Sequence, residues 1–448
     1  MSSSAILEAK EFTDLQRCHH AEPGIVDQAL VFGLCALLIF AVLAFGAVEA
    51  WSTFTFEAGA VAVFVVWAGK QLLASQVTLS KNPLYLPVLL FLGLIFLQIA
   101  FRRSAYTYVT KYEALQYVSY GIVFLVAMEA IRGADARKKF ALVMTVFGTL
   151  YAWFALAQDL TSNGKLFWVR TPQFGGSMYG SYVNRDHYAG LMEMLVPIPL
   201  VLSMGHLFKG AQRILVGFCA VLMASTIFLS GSRGGMLAFF VEMVLLGALM
   251  FRKKRSPRAA LGYVAVCVFI AALICFSSKG QVLGRFGDLS PGMRLHISKD
   301  SLRMFAKRPL YGWGLGTFPT VYPRYRSFHT NLFVNEAHND YAQLLAETGL
   351  LGFSLMMWFL ILLYQRGLTT SRRWERRWDG AVALAALMGC TGILLHSLVD
   401  FNLHIPANAA LFYVLCALAA SEPLAESSRR RRTRATGTEE ILEPSGSA

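Results

Sequence analysis

Apolar residues run along this chain in long blocks separated by short polar intervals. Twelve blocks can be marked, at approximately 28–48, 57–75, 84–101, 113–131, 139–158, 188–204, 214–231, 235–251, 259–276, 350–366, 380–397 and 405–420. Each is near the roughly 20 residues a helix needs to cross the hydrocarbon core of a bilayer. Backbone N–H and C=O groups in lipid must be bonded within the segment, so each block predicts a helix. Gly93, Gly121, Pro197 and Pro199 fall inside blocks, and membrane helices tolerate both residue types. The expected fold is therefore all-α: a polytopic membrane protein of about twelve transmembrane helices. One interval, 277–349, is far longer than an ordinary connection.

Composition sharpens the class. Of the 448 residues, 56% are hydrophobic and only 15% charged, with mean hydropathy +0.50. Soluble domains carry about 25% charged residues, so an ordinary soluble enzyme and a disordered chain are both excluded. The first block follows 27 mostly polar residues and exceeds the length of a signal-peptide core, so a retained helix is expected. Six of the seven cysteines lie inside apolar blocks and no Cys-x-x-Cys occurs. They read as small apolar filler, and neither a disulfide framework nor a metal knuckle is implied.

Net charge is +14. In a membrane protein that excess must be sorted by side before it says anything about partners. With the N-terminus inside, the inside segments hold twenty-five Lys and Arg and the short outside loops hold seven. Basic residues gather in cytoplasmic loops, whereas long loops cross regardless of charge. Both termini are thus expected in the cytoplasm, with the long loop on the periplasmic side. The expected organisation is a cytoplasmic tail (1–27), a membrane domain (28–420, containing the loop 277–349) and a second cytoplasmic tail (421–448). The run Arg429 to Arg432 reads as a topology anchor, with anionic lipid as the rival partner. Nothing in the chain calls for nucleic acid.

Candidate chemistry concentrates outside. The long loop is rich in aromatic residues and has helix-forming stretches at roughly 293–307 and 336–348. In the second stretch Asn335 is a candidate N-cap and Gly349 a candidate stop, which puts His338 in the first turn. The helix N-terminus disfavours imidazolium, while Glu336 and Asp340 favour it, so the sequence leaves its charge state open. A structural histidine is the competing reading. Arg185, Arg233, Arg285 and Arg294 fall on the same side. Arg233 sits in a five-residue turn between two apolar blocks, where a charge is costly and marks a functional site by default; snorkelling to the interface is the alternative. For Arg185 the alternative is a pair with Asp186, and for Arg294 a solvated charge. Guanidiniums offer planar, bidentate phosphate recognition at any working pH. Several of them converging with a neutral histidine would suit a diphosphate leaving group.

These same residues carry a resemblance. Glu336-Ala337-His338-Asn339-Asp340-Tyr341, continuing to Glu347-Thr348-Gly349-Leu350-Leu351-Gly352, resembles the C-terminal motif of the O-antigen ligase and O-antigen polymerase-like family. Ser230-Gly231-Ser232-Arg233-Gly234-Gly235 resembles the family's Ser-Arg-Gly turn. Asn184-Arg185-Asp186-His187-Tyr188-Ala189-Gly190 resembles its Asn-Arg-x-His-x-Ala-Gly element. Arg294 with Arg308-Pro309-Leu310-Tyr311-Gly312-Trp313-Gly314-Leu315-Gly316 resembles the opening of its large periplasmic loop. The resemblance implies a GT-C-type glycosyltransferase of the bacterial inner membrane. Such an enzyme moves a glycan from a polyprenyl (undecaprenyl) diphosphate lipid to an acceptor hydroxyl at the periplasmic face, without a metal or other cofactor. It implies His338 as base or orienting group, and Arg233 and Arg294, with Arg185, on the diphosphate. His187, Asn339, Asp340 and Tyr341 would stand at the acceptor or behind these groups.

The mechanism can also be argued from chemistry. Breaking a sugar–diphosphate bond puts negative charge on the leaving oxygens, and fixed cations stabilise it best where water is excluded. The acceptor hydroxyl needs a positioned base. Attack opposite the leaving group inverts the anomeric centre. The leading expectation is O-antigen ligation onto lipid A–core. Polymerisation onto a lipid-linked acceptor comes next, then transfer to protein Ser or Thr, then a polysaccharide transporter or flippase. Glu193 and Glu242, inside two blocks, are the features that favour transport, with an interior pair as their structural reading.

Overall fold

The computed structural model describes residues 24–74, 77, 79–172, 177–251, 292–330 and 333–422. The expected span 259–276, Arg285 and most of both tails lie outside the described residues. Within them the fold is all-α, with no strand. The long helices are α1 (Ile25–Leu43), α2 (Ala50–Leu73), α3 (Tyr85–Ala100), α4 (Thr107–Ala130), α5 (Ala134–Leu160), α6 (Arg185–Leu195), α7 (Pro197–Met204), α8 (Gly210–Leu229), α9 (Arg233–Phe251), α10 (Met293–Lys307), α11 (Asp340–Thr370), α12 (Trp378–His396) and α13 (Pro406–Ala420). Each of the other eleven apolar blocks coincides with a helix or helix pair. Seven helical stretches are long and apolar enough to cross a membrane, and α3 and α13 are shorter apolar helices. The protein is a polytopic, all-α membrane protein.

Burial separates inner from outer helices. The stretch Arg185–Met204 (α6 and α7 together) is 94% buried over its apolar window and α12 is 89% buried. α2, at 28%, keeps most of its apolar surface outward, as a lipid-facing helix should. α12 packs against α6, α7, α9 and α13 and forms the axis of the bundle. Contacts of Gly190 with Asn402, of Gly234 with His396 and of Asp340 with Ser397 bring the starts of α6, α9, α11 and α13 and the end of α12 together at one end of the bundle, and the site is built there.

α10 spans Met293–Lys307, where sequence pattern places a helix. With the turn Phe318–Val321 and residues 337 and 346 it encloses a small core of its own: Ile297, Met304, Phe318, Val321, Tyr322, Ala337 and Ala346. Glycine geometry fastens this small subdomain to α11. Gly349 has φ +64° and interrupts α11. The N–H of Leu350, freed by the break, donates to Pro309 O at 2.7 Å. A Cβ on Gly349 would lie 2.4 Å from Leu310 O, and one on Gly312 (φ +69°) 2.3 Å from the Glu347 backbone. Only bare backbone lets the two segments approach this closely.

The start of α11 corrects the sequence expectation. The helix begins at Asp340, not near 336, and Asn339 rather than Asn335 is its N-cap, accepting from the N–H of Ala342 at 2.9 Å. Asn339 prevails because its neighbours anchor it: its Nδ2 donates to Leu398 O and the N–H of Asp340 donates to Ser397 O. His338 therefore precedes the helix, with φ +50°. A non-glycine residue in the left-handed region is uncommon and such positions concentrate at functional sites.

Candidate active site

The site grows from the loop between α12 and α13. Asp400, fully buried, stands at its centre. Its Oδ1 lies 3.2 Å from His338 Nδ1 and its Oδ2 lies 3.8 Å from His187 Nε2. Phe401 fits between the two imidazoles, edge-on to both, with ring centroids 4.8 Å from His338 and 4.7 Å from His187. Burial pushes the Asp400 carboxyl up, but the hydrogen bond from His338 and the nearby His187, His396 and Arg294 outweigh it. They hold Asp400 well below the usual carboxylate range. An ionised carboxylate can only accept, so Nδ1 of His338 carries the proton of that bond. In the neutral ring Nε2 is then the proton-accepting atom, on a side chain that is 27% exposed. This is the arrangement in which a carboxylate fixes tautomer and orientation of a histidine base.

The arginines approach from three helix starts. Arg294, on the first turn of α10, donates through Nη2 to Asp186 Oδ2 and through Nη1 to Val399 O, each at 2.8 Å. Arg294 is therefore not the solvated charge of its alternative reading, since it pairs with Asp186. Asp186 also hydrogen-bonds Ser232, next to Arg233. Arg233 is the first residue of α9 and half-buried; Arg185 opens α6. Asp186 thus ties the three arginine-bearing elements to one carboxylate.

The glycines of these motifs have a steric reason. A Cβ on Gly190 would lie 2.3 Å from Asn402 Oδ1, one on Gly234 2.8 Å from His396 Nε2, and one on Gly235 2.6 Å from the Cβ of Ala189. α9 therefore starts in contact with α6 and α12, which sets where Arg233 emerges. Beneath it His396 Nδ1 lies 3.0 Å from Glu193 Oε1, both fully buried. Glu193 thus lies at ion-pair distance from an interior histidine, while Glu242 is fully buried with neither carboxyl oxygen hydrogen-bonded. Asn408 closes the network, donating to His187 O at 3.0 Å and Asn402 Oδ1 at 3.1 Å and accepting from Tyr182 at 2.9 Å.

The remaining expected site residues do a different job. Asn339 caps α11, Tyr341 donates to Leu394 O at 2.8 Å, and Asp340 accepts from the N–H of Leu403 at 3.2 Å. These bonds clamp the α12–α13 loop onto the start of α11 and so bring Asp400 to His338. Asp340 also holds His404, whose Nδ1 lies 2.7 Å from its Oδ1. Burial opposes charge on His404, yet Glu336, Asp340 and Glu347 prevail and push its imidazole up to about 10.

That shift has a testable sign. A histidine raised above its unfolded value near 6.5 contributes stability fully below about pH 6.5 and loses it as pH rises through the folded value. His404→Gln should lower the melting temperature of the solubilised protein most at about pH 6, with the gap narrowing as pH approaches about 10. Thermal unfolding at a series of pH values reads this; a gap independent of pH would remove the charge from the clamp.

Asp400, Phe401, Asn402, His396 and His404 are the residues that sequence reasoning passed over. Their signal was present: His396-Ser397-Leu398-Val399-Asp400-Phe401-Asn402-Leu403-His404 is a short polar-studded connection on the same side as His338 by span count.

No curated protein matches the chain. Residues 218–357 match a family model described as O-Antigen ligase. That stretch holds Arg233, Arg294 and His338, while Arg185, His187 and Asp400 lie beyond it and join the site only through folding. Over residues 218–357 the chain is thus similar to the O-antigen ligase family.

Proposed function

We propose that this enzyme transfers a glycan from a polyprenyl-diphosphate lipid to an acceptor hydroxyl, with inversion and without a metal, at the periplasmic face of the bacterial inner membrane. The acceptor in this reading is lipid A–core, as in O-antigen ligation. The observation that carries it is the His338–Asp400 pair beside Arg294 and the Asp186 that links the arginine-bearing helix starts. His338 Nε2 takes the proton of the acceptor hydroxyl as its oxygen bonds the anomeric carbon. The sugar–phosphate bond breaks, and its electron pair leaves with the lipid diphosphate. Arg233 and Arg294, with Arg185, balance that charge. A mainly apolar cavity lies between α4, α11 and α13, beside Asp340 and His404. It supports an apolar route for a lipid chain from the bilayer to the site.

The test is glycan transfer by the purified protein from a lipid-linked donor in the presence of EDTA. Full turnover is expected, because guanidiniums supply the positive charge. Loss that Mg²⁺ or Mn²⁺ restores would overturn the metal-free reading. Lipid A–core and a second lipid-linked glycan, offered separately as acceptors, distinguish ligation from polymerisation.

The arginines give a second expected result. Alanine at Arg233 or Arg294 should slow transfer roughly 10²–10³-fold, the scale for losing one fixed donor to a developing anion. Lysine keeps the charge and loses the planar fork, so it should recover little. Near-normal turnover in both lysine variants would reduce these residues to general electrostatics.

A further inference from the structure

One group at the site has the wrong sign for the reaction. Asp186 stands among the arginines assigned to the diphosphate, yet it carries the same charge as the diphosphate. The first turns of three helices hold its carboxylate. It lies in the first turn of α6. It accepts from Nη2 of Arg294, the second residue of α10, at 2.8 Å. It also hydrogen-bonds Ser232, whose Oγ accepts from the N–H of Gly235 in the first turn of α9 at 3.2 Å. Helix starts and guanidiniums are what a protein offers to a bound anion. Here they already hold one, and it belongs to the chain itself.

The pair is layered. The Asp186 side chain is 13% exposed and that of Arg294 is 45% exposed, so an anion entering the site meets Arg294 first. Both terminal nitrogens of Arg294 already donate, Nη2 to Asp186 and Nη1 to Val399 O. A diphosphate that grips Arg294 therefore shares it with Asp186, and two anions on one guanidinium repel.

The chemistry gives such a competitor a use. The intact donor has one ionised oxygen on each phosphorus. When the sugar–phosphate bond breaks, the leaving polyprenyl diphosphate keeps the electron pair and gains a third. Cations set to stabilise that charge as it develops also hold the finished product more tightly than the donor. Release then becomes the slow step, as in many enzymes.

We propose that Asp186 sets product release: it competes with the polyprenyl diphosphate for Arg294 and takes the guanidinium back as the product leaves. It acts through Arg294 and is therefore a positioning residue. The proposal deepens the glycosyltransferase reading and rests on it for the identity of the product, whose binding can be measured without transfer. The rival role is a carboxylate that only holds Arg294 ready for the diphosphate. The two roles give opposite signs when the charge is removed.

The experiment measures the affinity of the full-length protein, in neutral detergent, for undecaprenyl diphosphate, with undecaprenol as the uncharged control. Asp186→Asn keeps the shape of the side chain and removes its charge. It should bind the diphosphate about tenfold or more tightly than wild type, the scale of one charge-assisted hydrogen bond, and undecaprenol no differently. In an Arg294→Ala background the same substitution should change affinity little, because the group it acts through is gone. In the transfer assay its steady-state rate should fall more than its first turnover, with stronger inhibition by added undecaprenyl diphosphate. Asp186→Glu restores a carboxylate and should return affinity toward wild type. Should the asparagine protein not fold, Asp186→Ser removes the same charge and should shift affinity in the same direction. Equal or weaker diphosphate binding by the folded neutral variants would overturn the proposal, as would equal tightening in the Arg294→Ala background. Tighter binding by a protein that transfers no glycan would strike the proposed function and leave Asp186 as the competitor for a bound diphosphate.

Discussion

His338→Ala lowers transfer roughly 10²–10⁴-fold, the usual worth of a positioned proton transfer, or about 3–5 kcal/mol of barrier. The expectation rests on tautomer and access. Nδ1 is committed to Asp400, so the proton-accepting atom is Nε2. The ring is held by that bond, by Phe401 and by a backbone at φ +50°. Donor binding should change little, because the arginines carry it. His338→Gln separates base from orienting group: it retains a donor and an acceptor but cannot take a proton near neutral pH. A glutamine variant as slow as alanine, folded and binding donor, supports the base. One with most of the wild-type rate rules the base out.

Asp400→Asn is the second large effect, again roughly 10²–10⁴-fold in rate, since a neutral amide can present its N–H₂ to Nδ1 and stabilise the wrong tautomer. The same variant has a stability signature with a definite sign. A carboxylate held below its unfolded value near 3.9 contributes stability above that value and loses it as pH falls through the folded one. The asparagine variant should therefore melt lower than wild type at neutral pH, with the gap closing at acid pH. Activity at neutral pH that survives the substitution in a folded protein would remove Asp400 from the reaction and leave it as a structural anchor for Phe401 and the loop.

Several features could be read directly from the order of residues. Apolar blocks near bilayer length must be helices, because a backbone in lipid can satisfy itself only locally; each block within the described residues is helical. The helix at 293–307 is also local, and so is the break at Gly349, since both depend on propensity and φ. Arg233 is legible as a costly charge in a turn between apolar blocks, and Arg294 and His338 as polar residues in motif contexts.

What the order of residues left open is what depends on distance in space. The start of α11 shifted by four residues because Ser397 and Leu398, nearly 60 positions away, bond Asp340 and Asn339 and favour that cap over the one nearer 336. Asp186 reads locally as the partner of its neighbour Arg185, and folding brings Arg294, over a hundred residues on, to it. Asp400 offers no motif of its own. It becomes the centre of the site only because α12 ends, α11 begins and α6 begins at one end of the bundle, which puts two histidines on one buried carboxylate. Local sequence decides which segments are helices, since their backbone bonds close within a few residues. Tertiary packing decides which side chains share a charge, since that depends on which helix ends are brought together.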